Sequence, residues 1–235
     1  VYALARELHG AGVPPIAIID SRFDIPPEQL EQMQALSIPV HAGSQPVDTS
    51  GFGALSAVHF APCSSTVVGA QQQACDALLV SGGWNPALQL FAHAGGRLQF
   101  NERSGTLEPA HTVSGSEIVG NAGSTGFPTE VGTRLSPGQP SRQRVDLLHD
   151  VTVSDLELAL RENFTSMEHV KRFTTVGMGA DQGKTSAPIA LEIVAKLRGI
   201  KAAEIGPTTL RPPFAPVTLG AIAGRSVGER FAPFR

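Results

Sequence analysis

Between Phe173 and Ser186 the chain reads Phe-Thr-Thr-Val-Gly-Met-Gly-Ala-Asp-Gln-Gly-Lys-Thr-Ser, the stretch in which residue type and spacing come nearest to chemistry. Three glycines, one lysine and several hydroxyls lie between two segments that read as helices, so backbone N–H groups are exposed where a helix begins. Such amides, with Lys184, can hold a phosphate or a carboxylate. A tight interhelical turn carrying an exposed lysine is the plainer alternative. Gly183-Lys184-Thr185 also suggests a triphosphate-binding loop, but that motif needs a glycine where this chain has Met178. A strand should precede it, and here a capped helix does. Triphosphate hydrolysis is excluded.

The remaining chemistry-bearing residues are scattered. The seven histidines stand at 9, 41, 59, 93, 111, 149 and 169, and none has a histidine neighbour at ligand spacing. Only Cys63 and Cys75 are present, with no CxxC, which supports neither a disulfide framework nor a cysteine metal site. Ser81 precedes two glycines but lacks the GxSxG frame of a nucleophile elbow. Asp20 ends an apolar run, where a dinucleotide unit places the acid that bonds a ribose; no GxGxxG precedes it, and a simple turn residue is the alternative reading.

The elements that must position these residues follow from periodicity. Val1, Leu4, Ala5 and Leu8 have helical spacing, and Pro15 to Asp20 is a buried parallel strand. Pro27 to Leu36 is a second helix with Leu30, Met33 and Leu36 on one face, leading to a strand at Ile38-Pro39-Val40. Ala57–Phe60 and Ala77–Val80 read as further strands, the second running into Ser81-Gly82-Gly83-Trp84-Asn85-Pro86. This alternation predicts an α/β fold, part of a doubly wound dinucleotide-binding region. Ser154 with Glu157, and Thr165 with Glu168, have capping-box spacing and open two short helices. A third starts near Ser186, buries Ile189, Leu191, Ile193, Val194 and Leu197, and stops at Gly199, which completes a small all-helical domain.

The expected organisation is a partial dinucleotide-binding domain over 1–102, a loop-rich segment over 103–145 and the helical domain over 146–206. Residues 207–235 make a stiff, proline-rich linker. The first helix opens with no capping residue before it, and Arg225 to Arg235 ends without a polar tail or closing helix, so the chain is expected to be an internal stretch of a longer polypeptide. The 235 residues carry a formal net charge of −3, pI ≈ 6.2, 41% hydrophobic content and mean hydropathy +0.02. That balance gives no basic field for nucleic acid or an anionic membrane. No apolar run reaches transmembrane length and no signal peptide is legible, so a cytoplasmic location is expected.

Five separated motifs carry a family resemblance. Leu78 to Pro86, Asp150-Val151-Thr152, Glu168 to Thr175, Gly177 to Ser186 and Thr209 to Pro213 together resemble the alpha subunits of heterotetrameric sarcosine oxidases. The resemblance implies NAD bound in the alpha subunit, FAD in a beta subunit, FMN at the alpha–beta boundary, and tetrahydrofolate in a domain beyond Arg235. It implies beta, gamma and delta partners, and oxidative demethylation of sarcosine by oxygen. In that setting Val119 to Thr129 matches an NAD-contacting loop, with Ala122, Phe127 and Thr129 as contacts, although Phe127 stands where an aliphatic residue is expected. Lys184 and Thr185 would lie near the FMN interface, and no catalytic residue or metal site falls in this stretch. A related branch of opine and hydroxyproline-type amine dehydrogenases carries a two-iron two-sulfur cluster on four cysteines. Laid on this chain, those positions are Asp146, Leu148, Asp181 and Ser186, which are poor ligands for such a cluster. A non-catalytic scaffold protein is the remaining alternative.

Overall fold

The computed structural model describes residues 1–63, 70–81, 85–102, 104–122, 140–213 and 215–224. They fall into two compact units. One takes the described residues up to 81 with 104–105 and 140–143; the other takes 85–102, 106–122 and the described residues from 144 onward.

The first unit opens with α1 (Tyr2–Gly10), β1 (Ile18–Asp20), α2 (Pro27–Ala35) and β2 (Val40–Ala42). The two strands pair in parallel, Ile18 opposite Val40 and Asp20 opposite Ala42, with α2 in the crossover between them. Proline in the first turn of α2 costs nothing, because that N–H has no helical partner to lose. Tyr2, Ala5, Ile18, Ile25, Met33 and Ile38 form the core. Met33 and Leu36 carry the apolar face of α2, whereas Leu30 is 39% exposed and lies off it.

Chain order then continues with β3 (Ser44–Ser50), β4 (Ala57–Pro62) and β5 (Gln71–Ala74), an antiparallel sheet with β4 in the centre. The expected strand at Ala57 is therefore present, and its buried Ala57, Val58, Phe60 and Ala61 suit a central position. Ala77–Val80 is not a strand, and Val80 is 83% exposed. Four apolar residues become a strand only where a neighbour accepts their amides, and none does so among the described residues. Gly82, Gly83 and Trp84 lie outside the described residues.

The second unit holds α3 (Gln89–His93), the hairpin β6 (Leu98–Asn101) with β7 (Thr106–Pro109), and the short hairpin β8 (Arg144–Asp146) with β9 (Val151–Thr152). Helices α4 (Val153–Arg161), α5 (Met167–Thr174) and α6 (Ser186–Arg198) follow, then α7 (Ala202–Ile205) and α8 (Leu219–Ala223). The capping box of α4 sits two residues earlier than its sequence signature. Asp155 accepts from the Thr152 backbone N–H at 2.8 Å and its hydroxyl at 2.7 Å, because β9 runs straight into the helix. Ser166, not the expected Thr165, caps α5 by accepting from the His169 N–H, and Gly199, at φ 66°, stops α6.

Leu156, Val170, Leu191 and Val194 are fully enclosed where these helices meet. Ile189 is 38% exposed, so it belongs to the outer face of α6, against expectation. The proline-rich stretch has neither helix nor strand from 206 to 213, as its composition requires. It packs nonetheless: Thr208 is buried, and the Thr209 N–H donates to Glu168 Oε1 at 3.0 Å. No helix among the described residues is long and apolar enough to cross a membrane.

Candidate functional site

Asp146, at the end of β8, is the organising residue of the Gly177–Ser186 loop. The β8–β9 hairpin turns tightly through 147–150, with Asp150 at φ 57° and ion-paired to Arg144. This turn brings the amides of Leu148 and His149 back onto Asp146 Oδ1, at 2.9 and 3.2 Å. The other carboxylate oxygen faces the loop. Oδ2 accepts from the Gly177 N–H at 2.7 Å and from the Ser186 hydroxyl at 3.1 Å. Asp146 is only 2% exposed. Burial pushes its carboxyl up, but the hydrogen bonds from Gly177, Leu148, His149 and Ser186 outweigh that and hold it below the ordinary carboxylate range.

A second carboxylate closes the loop from inside. Asp181 Oδ1 accepts from the Gly183 N–H at 3.1 Å, and Oδ2 accepts from the Thr185 hydroxyl at 2.9 Å and its N–H at 3.4 Å. The start of α6 is thus supplied with negative charge by the chain itself, which is the favourable sign at a helix N-terminus. Two glycines make the fold of the loop possible. Gly177 and Gly183 have φ 71° and 72°, and their backbones approach so closely that a β-carbon on Gly183 would lie 2.8 Å from the Gly177 α-carbon, and one on Gly177 3.3 Å from the Gly183 α-carbon.

The positions that sequence resemblance aligned with cluster cysteines do come together here. Asp146 bonds Ser186 directly, and the Leu148 side chain and Asp181 flank Gly179, where an added β-carbon would lie 2.5 Å from Leu148 Cδ1 and 3.3 Å from Asp181 Oδ1. Their chemistry does not fit an iron–sulfur cluster. Leu148 has no ligand atom, and both Asp146 oxygens are already committed to four N–H and O–H donors.

Of the other residues singled out from sequence, Lys184 is half-buried, and its N–H donates to the Asp181 carbonyl at 3.3 Å. Thr185 is exposed as a residue, but its hydroxyl and amide are turned to Asp181. Ala122 is half-buried in the short 3₁₀ turn Gly120–Ala122 of the second unit. Phe127 and Thr129 lie outside the described residues. Sequence reasoning gave Asp146 no role of its own, because its donors Gly177 and Ser186 lie 31 and 40 positions away. The Asp181 cap had a local signal: an acid two residues before glycine and four before threonine is an Asx-type pattern.

The first unit contains a separate polar cluster at the end of β1. Asp20 accepts from Arg22 Nε and Nη2, the latter at 2.7 Å, and from the Tyr2 hydroxyl at 2.8 Å. Burial pushes the Asp20 carboxyl up, while the bonds from Arg22 and Tyr2 more than reverse it, so the net direction is down. The Tyr2 hydroxyl is pushed up by burial and then by Asp20. Asp20 is therefore more than a turn residue; it ties the start of α1 to the strand end. Across β3 and β4, Ser50 Oγ lies 2.6 Å from His59 Nε2, a cross-strand hydrogen bond.

Residues 140–225 match the family model described as the sarcosine oxidase A3 domain. The chain is 33% identical to the sarcosine oxidase alpha subunit of Rhizobium meliloti (strain 1021), matched over 100% of this chain and 26% of that protein. It is 32% identical to an opine oxidase subunit of the same organism, over 32% of this chain and 16% of that protein. The chain thus spans about a quarter of the length of the sarcosine oxidase protein it matches. Among solved structures, L-proline dehydrogenase from P. horikoshii superposes with a TM-score of 0.63 at 18% identity, over 94% of this chain and 53% of that one. At that identity the likeness speaks for the α/β fold with its helical region.

Proposed function

From its homology to sarcosine oxidase alpha subunits along its whole length, we propose that this chain forms part of an alpha subunit in a flavin-dependent complex acting on CH–NH groups. The reaction is oxidative demethylation of sarcosine with oxygen and tetrahydrofolate, giving glycine, hydrogen peroxide and 5,10-methylenetetrahydrofolate. In this reading FAD and FMN serve the redox steps in and beside a beta subunit, and tetrahydrofolate binds a domain outside this stretch. The complex is cytoplasmic and includes gamma and delta subunits. The residues here supply NAD-binding and subunit-interface structure, with 1–102 as the partial nucleotide domain, 103–145 closing it, 146–206 as the helical domain and 207–235 leading out of it. Ala122, Phe127 and Thr129 are the proposed NAD contacts. Lys184 and Thr185 are proposed to stand near the FMN boundary.

One observation carries the structural role. The loop that resembles a cofactor grip is closed by Asp146 and Asp181, which supports a scaffold rather than a redox centre. The test is purification of the full-length protein from its native cells. Flavin on a co-purifying partner, peroxide formed on addition of sarcosine, and sub-stoichiometric iron support the reading. A preparation that arrives without flavin or partner sinks it. The match to an opine oxidase favours a second reading, the alpha subunit of an opine-type amine dehydrogenase. That enzyme would reduce a dye with an opine and leave sarcosine untouched.

A further inference from the structure

The second unit contains a cavity of about 180 Å³, bordered by the lead-in to α3, the first turns of α6 and the Pro207–Leu210 stretch. A cavity of roughly 150 Å³ is enough to take up one benzene ring. Its walls are mostly apolar, with Leu107, Pro188, Leu191 and Leu210 among them. Two polar side chains interrupt them. Gln89 Oε1 is buried without a hydrogen-bond partner among the described residues. Thr208 is 8% exposed, and its hydroxyl makes no hydrogen bond among the described residues. A buried acceptor without a donor is costly; Gln89 Oε1 is such a group, and the Thr208 hydroxyl at the same cavity adds a donor and an acceptor that the chain does not use.

We propose that this cavity binds a small, uncharged ring carrying a carboxamide or an equivalent donor–acceptor group. The ring replaces water against the leucines, and the amide edge satisfies Gln89 and Thr208, each of which can exchange hydrogen bonds with it. Lys184 also borders the cavity, so an anion is the rival occupant. The start of α6 argues against it, because the Asp146 and Asp181 carboxylates already occupy its donors and repel a third negative charge. This site goes beyond the oxidase reading, and none of its probes is an amine substrate.

Titration of the full-length protein with benzamide, benzoate and toluene, followed by ligand-observed NMR and calorimetry, tests the site. Benzamide is expected to bind saturably and at least about tenfold more tightly than benzoate, whose charge must be buried. Thr208→Val and Gln89→Met are each expected to weaken benzamide about three- to tenfold while leaving toluene unchanged. Unliganded Thr208→Val should melt no lower than the parent, since the hydroxyl it removes has no partner to lose. If Gln89→Met does not fold, Thr208→Val alone decides. Absence of saturable benzamide binding, benzoate binding as tightly, or variants that bind like the parent would each overturn the assignment.

Discussion

Gly183 crosses Gly177 so closely that a β-carbon on Gly183 would stand 2.8 Å from the Gly177 α-carbon. Both residues also have positive φ. Gly183→Ala therefore meets conformational strain and a main-chain clash together, and should cost about 2–4 kcal/mol. Gly12 is the control: its φ is 81°, but nothing lies near its missing β-carbon. Gly12→Ala should cost about 1–2 kcal/mol. Denaturant midpoints that rank the two variants equally would show that the crossing is not tight in solution.

Asp146→Asn keeps the shape of the side chain but loses its charge, and its amide turns donors toward donors. A loss of about 2–3 kcal/mol is expected. The charge also sets an acid dependence. The folded carboxyl lies below the unfolded value of about 3.9, so its stabilisation is present above that pH and is lost as pH falls through the folded value. The parent should therefore lose stability on acidification below about pH 4 more steeply than Asp146→Asn does. Parallel acid profiles would remove Asp146 from this role.

Tyr2 is the sole tyrosine of the chain, which makes its titration directly readable. Burial and the neighbouring Asp20 raise its hydroxyl, so the contribution it makes is complete below the unfolded value of about 10 and disappears as pH climbs through the folded one. The ultraviolet phenolate band should stay absent as pH passes about 10 and emerge only at higher pH or with unfolding. Ordinary titration of a folded protein would contradict the Tyr2–Asp20 bond.

Glu168→Ala should free the Thr209 amide without unfolding α5, because the bond is at the surface. Hydrogen exchange at Thr209 should accelerate while global stability changes by less than about 1 kcal/mol. Unchanged exchange there would mean that the proline-rich stretch is held by its packing alone.

What the sequence disclosed divides along the range of the interactions. Helices α1, α2, α5 and α6 and the parallel β1–β2 pair are legible as local periodic patterns, but the cap of α5 falls on Ser166 rather than Thr165, and α1 buries Tyr2 and Ala5 while Val1 and Leu4 are exposed. The capping box at α4 was misplaced because Ser154 and Glu157 fit the same spacing as Thr152 and Asp155; only the incoming strand decides between them. Ala77–Val80 has strand composition, but pairing partners are not written in a segment's own residues. The loop was conspicuous from its glycines and lysine, yet its meaning depends on Asp146, which no local pattern links to Gly177. Its neighbour Asp181 was within reach of local reasoning.

The Gly177–Gly183 crossing also restricts how this segment can vary over time. Replacing the exposed Met178 or Ala180 alters surface only, whereas Gly179 and Asp181 are held by Leu148 and Thr185, and inserting or deleting a residue displaces Ser186 from Asp146 and shifts the first turn of α6. The loop can tolerate drift in lettering at Met178 and Ala180 but not in length. Sequencing many variants selected for folding should show a fixed Gly177-to-Gly183 spacing with Gly179 and Asp181 retained and positions 178 and 180 freely exchanged.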